Sequence, residues 1–293
     1  MTAIHTIVTH PGGAHKDDLL ACSVLVAENP EAVILRRDPV PDDLADPTVA
    51  VVDVGGSHDP ARSNFDHHQF PREHAPTCAL SLVLDGLGLY EDALRFCDWL
   101  ETAEWFDSRG PKRTAEWLGA PREAVARLTS PVDMTLLRRF AEAPEHRPGE
   151  LVHGWMNAVG TDLVEYLRTA RAGVERIDSA CERWSVEAPG TVVETVFLAR
   201  DSVPIDEPSA NLGRYVRWKG IAHDTGALVY PDRRGDGYGI ARYEDDPRLD
   251  FSRVGDEQDV RFAHASGFMC KTSTTDPERL RALIALAATT PAS

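Results

Sequence analysis

The first third of the chain alternates short apolar runs with a helix-like stretch. The runs IHTIVTH (4–10) and VAVVDVGG (49–56) predict buried strands, and DDLLACSVLVAE (17–28) predicts the helix after the first of them. Nearly continuous apolar strands that alternate with helices are typical of a parallel sheet covered by helices. Such sheets bind ligands beyond the carboxyl ends of their strands, where His10 and Asp53 lie. We therefore predict an α/β fold with candidate binding residues at that edge.

The remainder of the chain divides into a helical part and a strand-rich part. From residue 91 to 186, apolar residues recur every third or fourth position, which predicts a helical extension and connector that includes PREAVARLTS (121–130) and 150–184. After the turn-like EAPG (187–190), the pattern predicts strands in TVVETVFLAR (191–200), GALVYP (226–231) and GYGIARY (237–243), and a last helix in DPERLRALIALAA (276–288). The proline- and aspartate-rich segment 38–47 is expected to be an exposed loop.

This division, and a length of 293 residues, predict two domains. We place the first at 1–186 and the second, a smaller α+β domain across a cleft from the first, at 187–293. A cleft between two domains is a common place for a substrate site.

The charge of the chain restricts its partners. The formal net charge is -16, which disfavours broad clamping of long nucleic acid by a basic surface. A phosphorylated substrate is still compatible with it, because bound divalent cations supply positive charge where the phosphate lies. Any such substrate should therefore be held locally.

The cysteines and the apolar runs indicate the compartment. The chain has five widely spaced cysteines and no C-x-x-C pair, which favours free thiols in a reducing cytosol over a disulfide framework or a zinc knuckle. The segment MTAIHTIVTHPGG has no basic n-region or long apolar run, so no secretory signal is expected, and no stretch has the length of a membrane span. We predict a cytoplasmic protein.

Four separate segments carry imidazole and carboxylate groups: HPGGAHKDD (10–18), VVDVGG (51–56), FDHHQF (65–70) and WFDS (105–108). Oxygen and imidazole ligands without thiolates suit Mn, Mg, Fe or Zn at a catalytic position. A single carboxylate such as Asp53 could bridge two ions roughly 3.5–4 Å apart, the separation used in two-metal hydrolysis.

Each of these residues also has a simpler interpretation. His10 alone would be a hydrogen-bonded loop histidine, and Asp17 and Asp18 alone would be helix-start carboxylates that interact favourably with the helix dipole. Asp107 competes with Asp98, Glu101 and Glu104 on the same helical run. The consecutive Asp66-His67-His68 has no explanation from propensity or packing, and together the four segments favour a metal site.

At these residues the chain resembles a known family. The Asp66-His67-His68 triplet, the strand-end Asp53 and the first loop are similar to the DHH phosphoesterase superfamily. THPGGAHKDD (9–18), DVGG (53–56), FDHHQ (65–69) and HASGF (264–268) resemble its melanocyte-proliferating-gene-one family, a branch with reported RNA exonuclease activity in eukaryotes. The resemblance implies a DHH-type catalytic domain with a two-metal site and hydrolase activity.

The resemblance also implies roles for individual residues. His10, His15 and Asp53 would hold one divalent cation, and the other would be held by Asp17, Asp53, His67 and Asp107. Manganese is the first choice of metal, with Mg, Fe and Zn also compatible. Asp66 would orient the neighbouring histidine. His68 would face the scissile phosphate, as a charge stabiliser or a proton donor to the leaving oxygen.

In the second domain, the HASGF segment fits a loop that grips the substrate. Gly267 would allow close backbone approach, and His264 or Ser266 would reach phosphate or ribose. A strand end with a tight turn explains the same residues equally well. Arg214 could reach an anionic substrate across the cleft, or it could be an ordinary surface cation paired with one of the many acids.

The leading functional hypothesis is metal-dependent hydrolysis of phosphodiester bonds in short or single-stranded nucleic acid, exonucleolytic and on RNA. One alternative is a hydrolase of a small phosphorylated metabolite, a cyclic dinucleotide or pyrophosphate, because metals treat all phosphoryl groups alike. Another is a non-catalytic module that binds metal or nucleotide. The oligomeric state is left open, with a homodimer as one option.

Overall fold

The structure is a computed structural model, and it describes residues 3–127, 130–200 and 208–289. Contacts between residues divide the chain into two compact units, Met1–Arg168 and Thr169–Ser293. The predicted domain boundary at 187 falls near the end of a strand, Cys181–Ala188, in the second unit, and as a boundary between independently folding domains it stays a prediction. Part of the predicted helix 121–130, Leu128 and Thr129, lies outside the described residues.

The first unit is built on a six-stranded sheet with the order β4-β5-β3-β1-β2-β6. Its elements are β1 (Thr6–Thr9), α1 (Lys16–Glu28), β2 (Val33–Arg36), α2 (Pro41–Ala45), β3 (Val49–Val52), β4 (His58–Asp59), β5 (Asn64–Phe65), α3 (Ala79–Gly86), α4 (Tyr90–Phe96), α5 (Leu100–Trp117), α6 (Arg122–Ala126), α7 (Pro131–Glu142) and β6 (Glu145–His146). A long helix, α8 (Leu151–Ala180), begins in this unit and ends in the second.

The central strands of this sheet are parallel. β1 pairs in parallel with β2 and β3, and β3 pairs in parallel with β5. The apolar residues of β1 and the last three residues of β3 are buried, as expected for strands covered on both faces. The predicted α/β fold class is confirmed, as are the helix after β1 and the helical stretch that follows residue 90.

The second unit contains a separate sheet of order β11-β12-β10-β9-β8-β7. Its elements are β7 (Cys181–Ala188), β8 (Thr191–Leu198), α9 (Pro208–Lys219), β9 (Thr225–Pro231), β10 (Tyr238–Arg242), β11 (Val260–Ala263), β12 (Met269–Thr272) and α10 (Pro277–Ala287). α10 begins as predicted, with Pro277 at its first position and the Asp276 carboxylate accepting the N–H of Glu278. One core joins the sheet to α10, through residues such as Val193, Val229, Phe251 and Leu283.

Two predictions of local structure were wrong. The predicted helix 150–184 ends at Ala180, and the next residues form β7, because pairing with β8 along all eight residues and burial of Trp184 outweigh local helix propensity. The segment 38–47 contains α2 rather than loop alone. In α2, Pro41 occupies the first turn. The buried Asp43 accepts a hydrogen bond from the N–H of Val40 and forms an ion pair with Arg37.

Two further predictions concern thiols and membranes. All five cysteines are free in the structure, as expected for a reduced protein. Within the described parts of the chain, no helix combines the length and the apolar character that crossing a membrane needs.

Candidate metal centre

The candidate ligands lie at one edge of the first sheet, where parallel strands end side by side. Thr9 of β1 is in register with Val52 of β3, and Val52 is in register with Phe65 of β5. The next residue of each strand is His10, Asp53 or Asp66, so the parallel pairing places all three at the same edge. The placement expected from the apolar pattern is thus observed.

Asp53 has an unusual backbone conformation at this edge. Its φ is 58°, in the left-handed region that residues with a side chain seldom adopt, and its N–H donates to the Phe65 carbonyl oxygen. Its side chain is 3% exposed. Strained backbone of this kind is concentrated at functional sites, where the surrounding structure holds it in place.

One group of potential ligands surrounds His67. Its Nε2 lies 3.1 Å from Asp53 Oδ1 and 2.8 Å from Asp107 Oδ2. Asp17, in the first turn of α1, completes the group, and one ligand atom from each of the four residues lies within 4.8 Å of the others. α5 therefore reaches the sheet edge through Asp107.

A second group shares Asp53 with the first. One ligand atom each from His10, His15 and Asp53 lies within 4.8 Å of the other two. The Nδ1–H of His10 donates to the Pro11 carbonyl oxygen, which leaves Nε2 as the coordinating atom, 3.5 Å from Asp53 Oδ2. The two clusters thus have the composition of a metal-binding site. The first is largely buried, whereas His15 of the second is exposed, and the buried Asp53 belongs to both.

The charges within the first group fit a cation. Asp17 is 2% exposed and its Oδ2 has no hydrogen-bond partner. Burial and the neighbouring Asp53 and Asp107 raise the pKa of Asp17 well above its usual value. Three carboxylates around a histidine, one with an unpaired buried oxygen, form a set of hard donors that suits a divalent ion.

Two histidines, His67 and His10, offset the negative charge of the neighbouring carboxylates. Burial lowers the pKa of His67, but its hydrogen bonds to Asp107 and Asp53 outweigh this and raise the pKa to about 10. The side-chain hydrogen bond to Asp18 raises the pKa of His10 to about 9. Because a coordinating imidazole must be neutral, metal would replace protons at both positions.

His68 lies at the exposed rim of these groups and forms a third group of potential ligands with Asp53 and His67. Its Nδ1–H donates to Asp66 Oδ1 over 2.7 Å, and its side chain is 62% exposed. Asp66 also accepts the N–H groups of His68 and Gly56 and is itself buried. This carboxylate therefore fixes the ring of His68 and leaves its Nε2 free to meet a ligand.

Sequence reasoning missed two neighbours of the first loop. Asp18 lies in the first turn of α1 and accepts the N–H of His15, as expected for a helix-start carboxylate. Its Oδ2 also lies 3.2 Å from His10 Nε2. Arg36, the last residue of β2, lies 3.7 Å from the same oxygen and donates to the carbonyl oxygens of Gly12 and Gly13. A charged residue closing an otherwise apolar strand was the available signal for Arg36.

Arg36 should position the loop that carries His10 and His15. Replacing it with Met removes two hydrogen bonds from that loop and one of the two cationic partners of the buried Asp18, so we expect Mn²⁺ affinity at the His10–His15–Asp53 group to fall roughly 10- to 100-fold. Isothermal titration of the full chain with Mn²⁺ would measure this. Arg37→Met is the matched control, because Arg37 pairs with Asp43 instead. Equal affinities in both variants would contradict the positioning role.

The structure distinguishes Asp107 from the other acidic residues nearby in the sequence, Asp98, Glu101 and Glu104. Glu104 is buried and accepts hydrogen bonds from Ser81 and Tyr90, which accounts for it as a packing contact. Asp98 and Glu101 are exposed. Among the acids of this run, Asp107 is the one that contacts His67.

The four candidate substrate-binding residues all lie in the second unit. His264, Ser266 and Gly267 form the turn between β11 and β12, with Gly267 at φ +69° and an added Cβ there 2.0 Å from Asp250 Oδ1. The Ser266 N–H donates to His264 Nδ1. Arg214, on α9, donates to Asn211. The tight turn predicted as the simpler interpretation is present, and the binding roles stay predictions.

The fold and the edge cluster place the first unit among α/β domains with an Asp/His site at the carboxyl ends of parallel strands. Residues 6–81 match the family model MYG1_exonuc, described as "Uncharacterised protein family (UPF0160)". The resemblance expected from the motifs is confirmed over this segment, which contains all the candidate ligands except Asp107.

Curated relatives match a segment of similar length. The chain is 50% identical to the MYG1 exonuclease of Bos taurus and 48% identical to that of Homo sapiens, each over 66 residues. This is 22% of the chain, and it spans only 16% and 17% of the lengths of the two relatives.

Two solved structures show weaker likenesses. One is the pGpG-specific phosphodiesterase PggH from Vibrio cholrae, with a TM-score of 0.32 and 14% identity over 97% of this chain and 98% of that one. The other is the DHH domain of PF0399, a member of the s1p family of ribosomal proteins, with a TM-score of 0.32 and 13% identity over 96% of this chain and 85% of that one.

Proposed function

We propose that this chain is a divalent-metal-dependent phosphoesterase that hydrolyses phosphodiester bonds of short or single-stranded nucleic acid from an end. The observation that carries the proposal is Asp53, a buried carboxylate on strained backbone that belongs to all three groups of potential metal ligands at the sheet edge. The match to the MYG1_exonuc family model over residues 6–81, which contain Asp53, and the similarity to MYG1 exonucleases support the same chemistry. Manganese as the metal, RNA as the substrate and a cytoplasmic location are parts of this proposal.

Two sets of residues would hold the ions. His10, His15 and Asp53 form one set, and Asp17, Asp53, His67 and Asp107 form the other. When bound, a pair of divalent cations activates a water and neutralises phosphoryl oxygens. The residues around them bury the carboxylates and exclude water from one side of the site, which strengthens each electrostatic contact.

His68 is the residue we assign to proton transfer. Asp66 accepts its Nδ1–H, so the exposed Nε2 can carry a proton toward the leaving oxygen of a bound phosphodiester. Asp66 acts as a positioning residue that sets the ring orientation. This arrangement requires the scissile phosphate to lie between the ligand groups and the rim that His68 forms.

The acidic character of the chain supports a short substrate. With a net charge of -16, the chain disfavours contact with a long duplex over a broad surface, whereas a short strand would need only local contacts.

The test is a panel of substrates incubated with the full chain and Mn²⁺. We expect 5′-labelled RNA of two to eight nucleotides to be cleaved from an end, giving either a ladder of shorter labelled strands or a labelled mononucleotide, with addition of EDTA as the control that stops the reaction. Equivalent DNA strands, cyclic dinucleotides and pyrophosphate complete the panel, and product length is the readout. Turnover of pyrophosphate or a cyclic dinucleotide alone would contradict the proposal, as would stoichiometric metal binding without turnover of any phosphoester.

A further inference from the structure

A kink in α5 brings two distant tryptophans together. Gly110, with φ 75° and ψ 167°, interrupts the helix just before Pro111. In a straight helix, Trp105 and Trp117 would be about 18 Å apart along the axis, at about 1.5 Å per residue. Their ring centroids are instead 5.0 Å apart and the planes are inclined by 10°. The kink therefore builds a stacked aromatic pair on one short segment.

This segment leaves aromatic surface open to solvent. The Phe106 and Trp117 side chains are each 37% exposed, and Leu118 after them is 43% exposed. Single exposed apolar residues are common, but a group of large ones on a single segment is typical of a binding surface.

The same segment has a small excess of basic residues in an acidic protein. Arg109, Lys112 and Arg113 lie within five residues of one another and outnumber Asp107 and Glu116, against a net charge of -16 for the chain. Lys112 is 80% exposed and its contact with Glu116, at 4.0 Å, is a surface pair that contributes little. Arg109 donates to the His74 carbonyl oxygen, so its guanidinium lies beside the loop that follows His68. A local run of cations next to aromatic rings complements a polyanion that carries bases.

The segment adjoins the candidate metal centre. Phe106 is the chain neighbour of Asp107, whose carboxylate lies 2.8 Å from His67 Nε2. A strand whose scissile phosphate lies at the metal ligands would therefore pass close to this helix.

We propose that residues 105–117 of α5 bind single-stranded nucleic acid next to the scissile phosphate. Phe106 and the Trp105–Trp117 pair stack on bases, and Arg109, Lys112 and Arg113 contact phosphates. Stacking tolerates any base, and removing one stacking ring weakens binding roughly 5- to 150-fold. The inference deepens the proposed function and rests on it, because it takes the scissile phosphate to lie at the metal ligands.

The first test is direct binding without cleavage. Anisotropy of a 5′-fluorescein hexanucleotide, titrated with the full chain in EDTA, gives a Kd that does not depend on turnover. We expect Phe106→Ala to raise this Kd at least about fivefold. The double variant K112Q/R113Q should lower the slope of log Kd against log salt by roughly 0.7 for each phosphate that the side chains no longer neutralise.

Matched controls separate this surface from general effects of exposed residues. Trp155 on α8 is also 37% exposed, and Arg122 on α6 is an exposed cation, so Trp155→Ala and Arg122→Gln should bind like the unmodified chain. Unchanged binding by the α5 variants, or equally weakened binding by the controls, would overturn the inference.

A second measurement distinguishes this inference from the proposed function. With Mn²⁺, the rise in KM caused by Phe106→Ala should be at least about fivefold larger for the hexanucleotide than for bis(p-nitrophenyl) phosphate, which has no neighbouring nucleotides. Equal rises for the two substrates would count against the surface. If the chain binds the strand through α5 but cleaves no phosphoester, the proposed function fails and the surface stands.

Discussion

Asp53→Asn should reduce Mn²⁺-dependent cleavage by about 10³-fold or more and lower the number of bound ions. Asp53 belongs to both ligand groups, so loss of its charge weakens two positions together. Asn is the appropriate replacement because it tolerates the left-handed backbone, here at φ 58°, better than Ala does. Initial rates on labelled RNA and metal analysis of the purified protein would measure both effects.

The control for this variant is Asp59→Asn. Asp59 is a half-exposed carboxylate of β4 that belongs to none of the described ligand groups, and its replacement should leave rate and metal content unchanged. Circular dichroism would show that both variants are folded. If Asp53→Asn kept its activity and its ions, the shared-ligand site would be wrong.

Gly160→Ala should destabilise the protein by about 3 kcal/mol or more, a large fraction of the roughly 5–15 kcal/mol that stabilises a native protein. A Cβ at Gly160 would lie 1.9 Å from the carbonyl oxygen of Ser23, so α8 and α1 would have to separate. α1 also presents Asp17, so metal binding should weaken with the packing. Thermal and urea denaturation would give the change in the free energy of unfolding.

Gly154→Ala on the same helix provides the comparison. An added Cβ at Gly154 meets nothing within 4 Å, so the higher helix propensity of Ala should stabilise the protein by about 0.5–1 kcal/mol. Opposite signs for the two variants would identify the close approach as the cause. A similar small effect at both positions would show that α1 and α8 accommodate the methyl group.

The strand-end part of the site could be predicted because it follows from local pattern. A polar residue that follows an apolar strand of a parallel sheet lies at the edge where such sheets bind ligands. Parallel pairing therefore places His10 and Asp53 together. The Asp66-His67-His68 triplet lies beside them because the strand before it, β5, pairs with β3 in the same sheet. Asp107 had no local signal of its own, since it reaches His67 through the packing of α5.

The contacts of Arg36 and Asp18 at the site could not be predicted from the sequence, because they depend on how separate elements pack together. The role of Arg36 depends on the covering ring of Phe140, which lies 4.6 Å from its guanidinium and more than a hundred residues further along the chain. The stacking of Trp105 on Trp117 likewise depends on the kink at Gly110. The strand formed by residues 181–184 depends on its partner β8, which explains why helical periodicity misled there.

Almost all candidate ligands lie in residues 6–81, and the groups suggested to choose the substrate lie elsewhere, in α5 and in the second unit. This arrangement lets selection act on the two parts separately. Substitutions outside the ligand segments can alter which molecules reach the ions while the spacing of the ligands is kept. A lineage could thus change its substrate in small steps without passing through a form that has lost its metal chemistry.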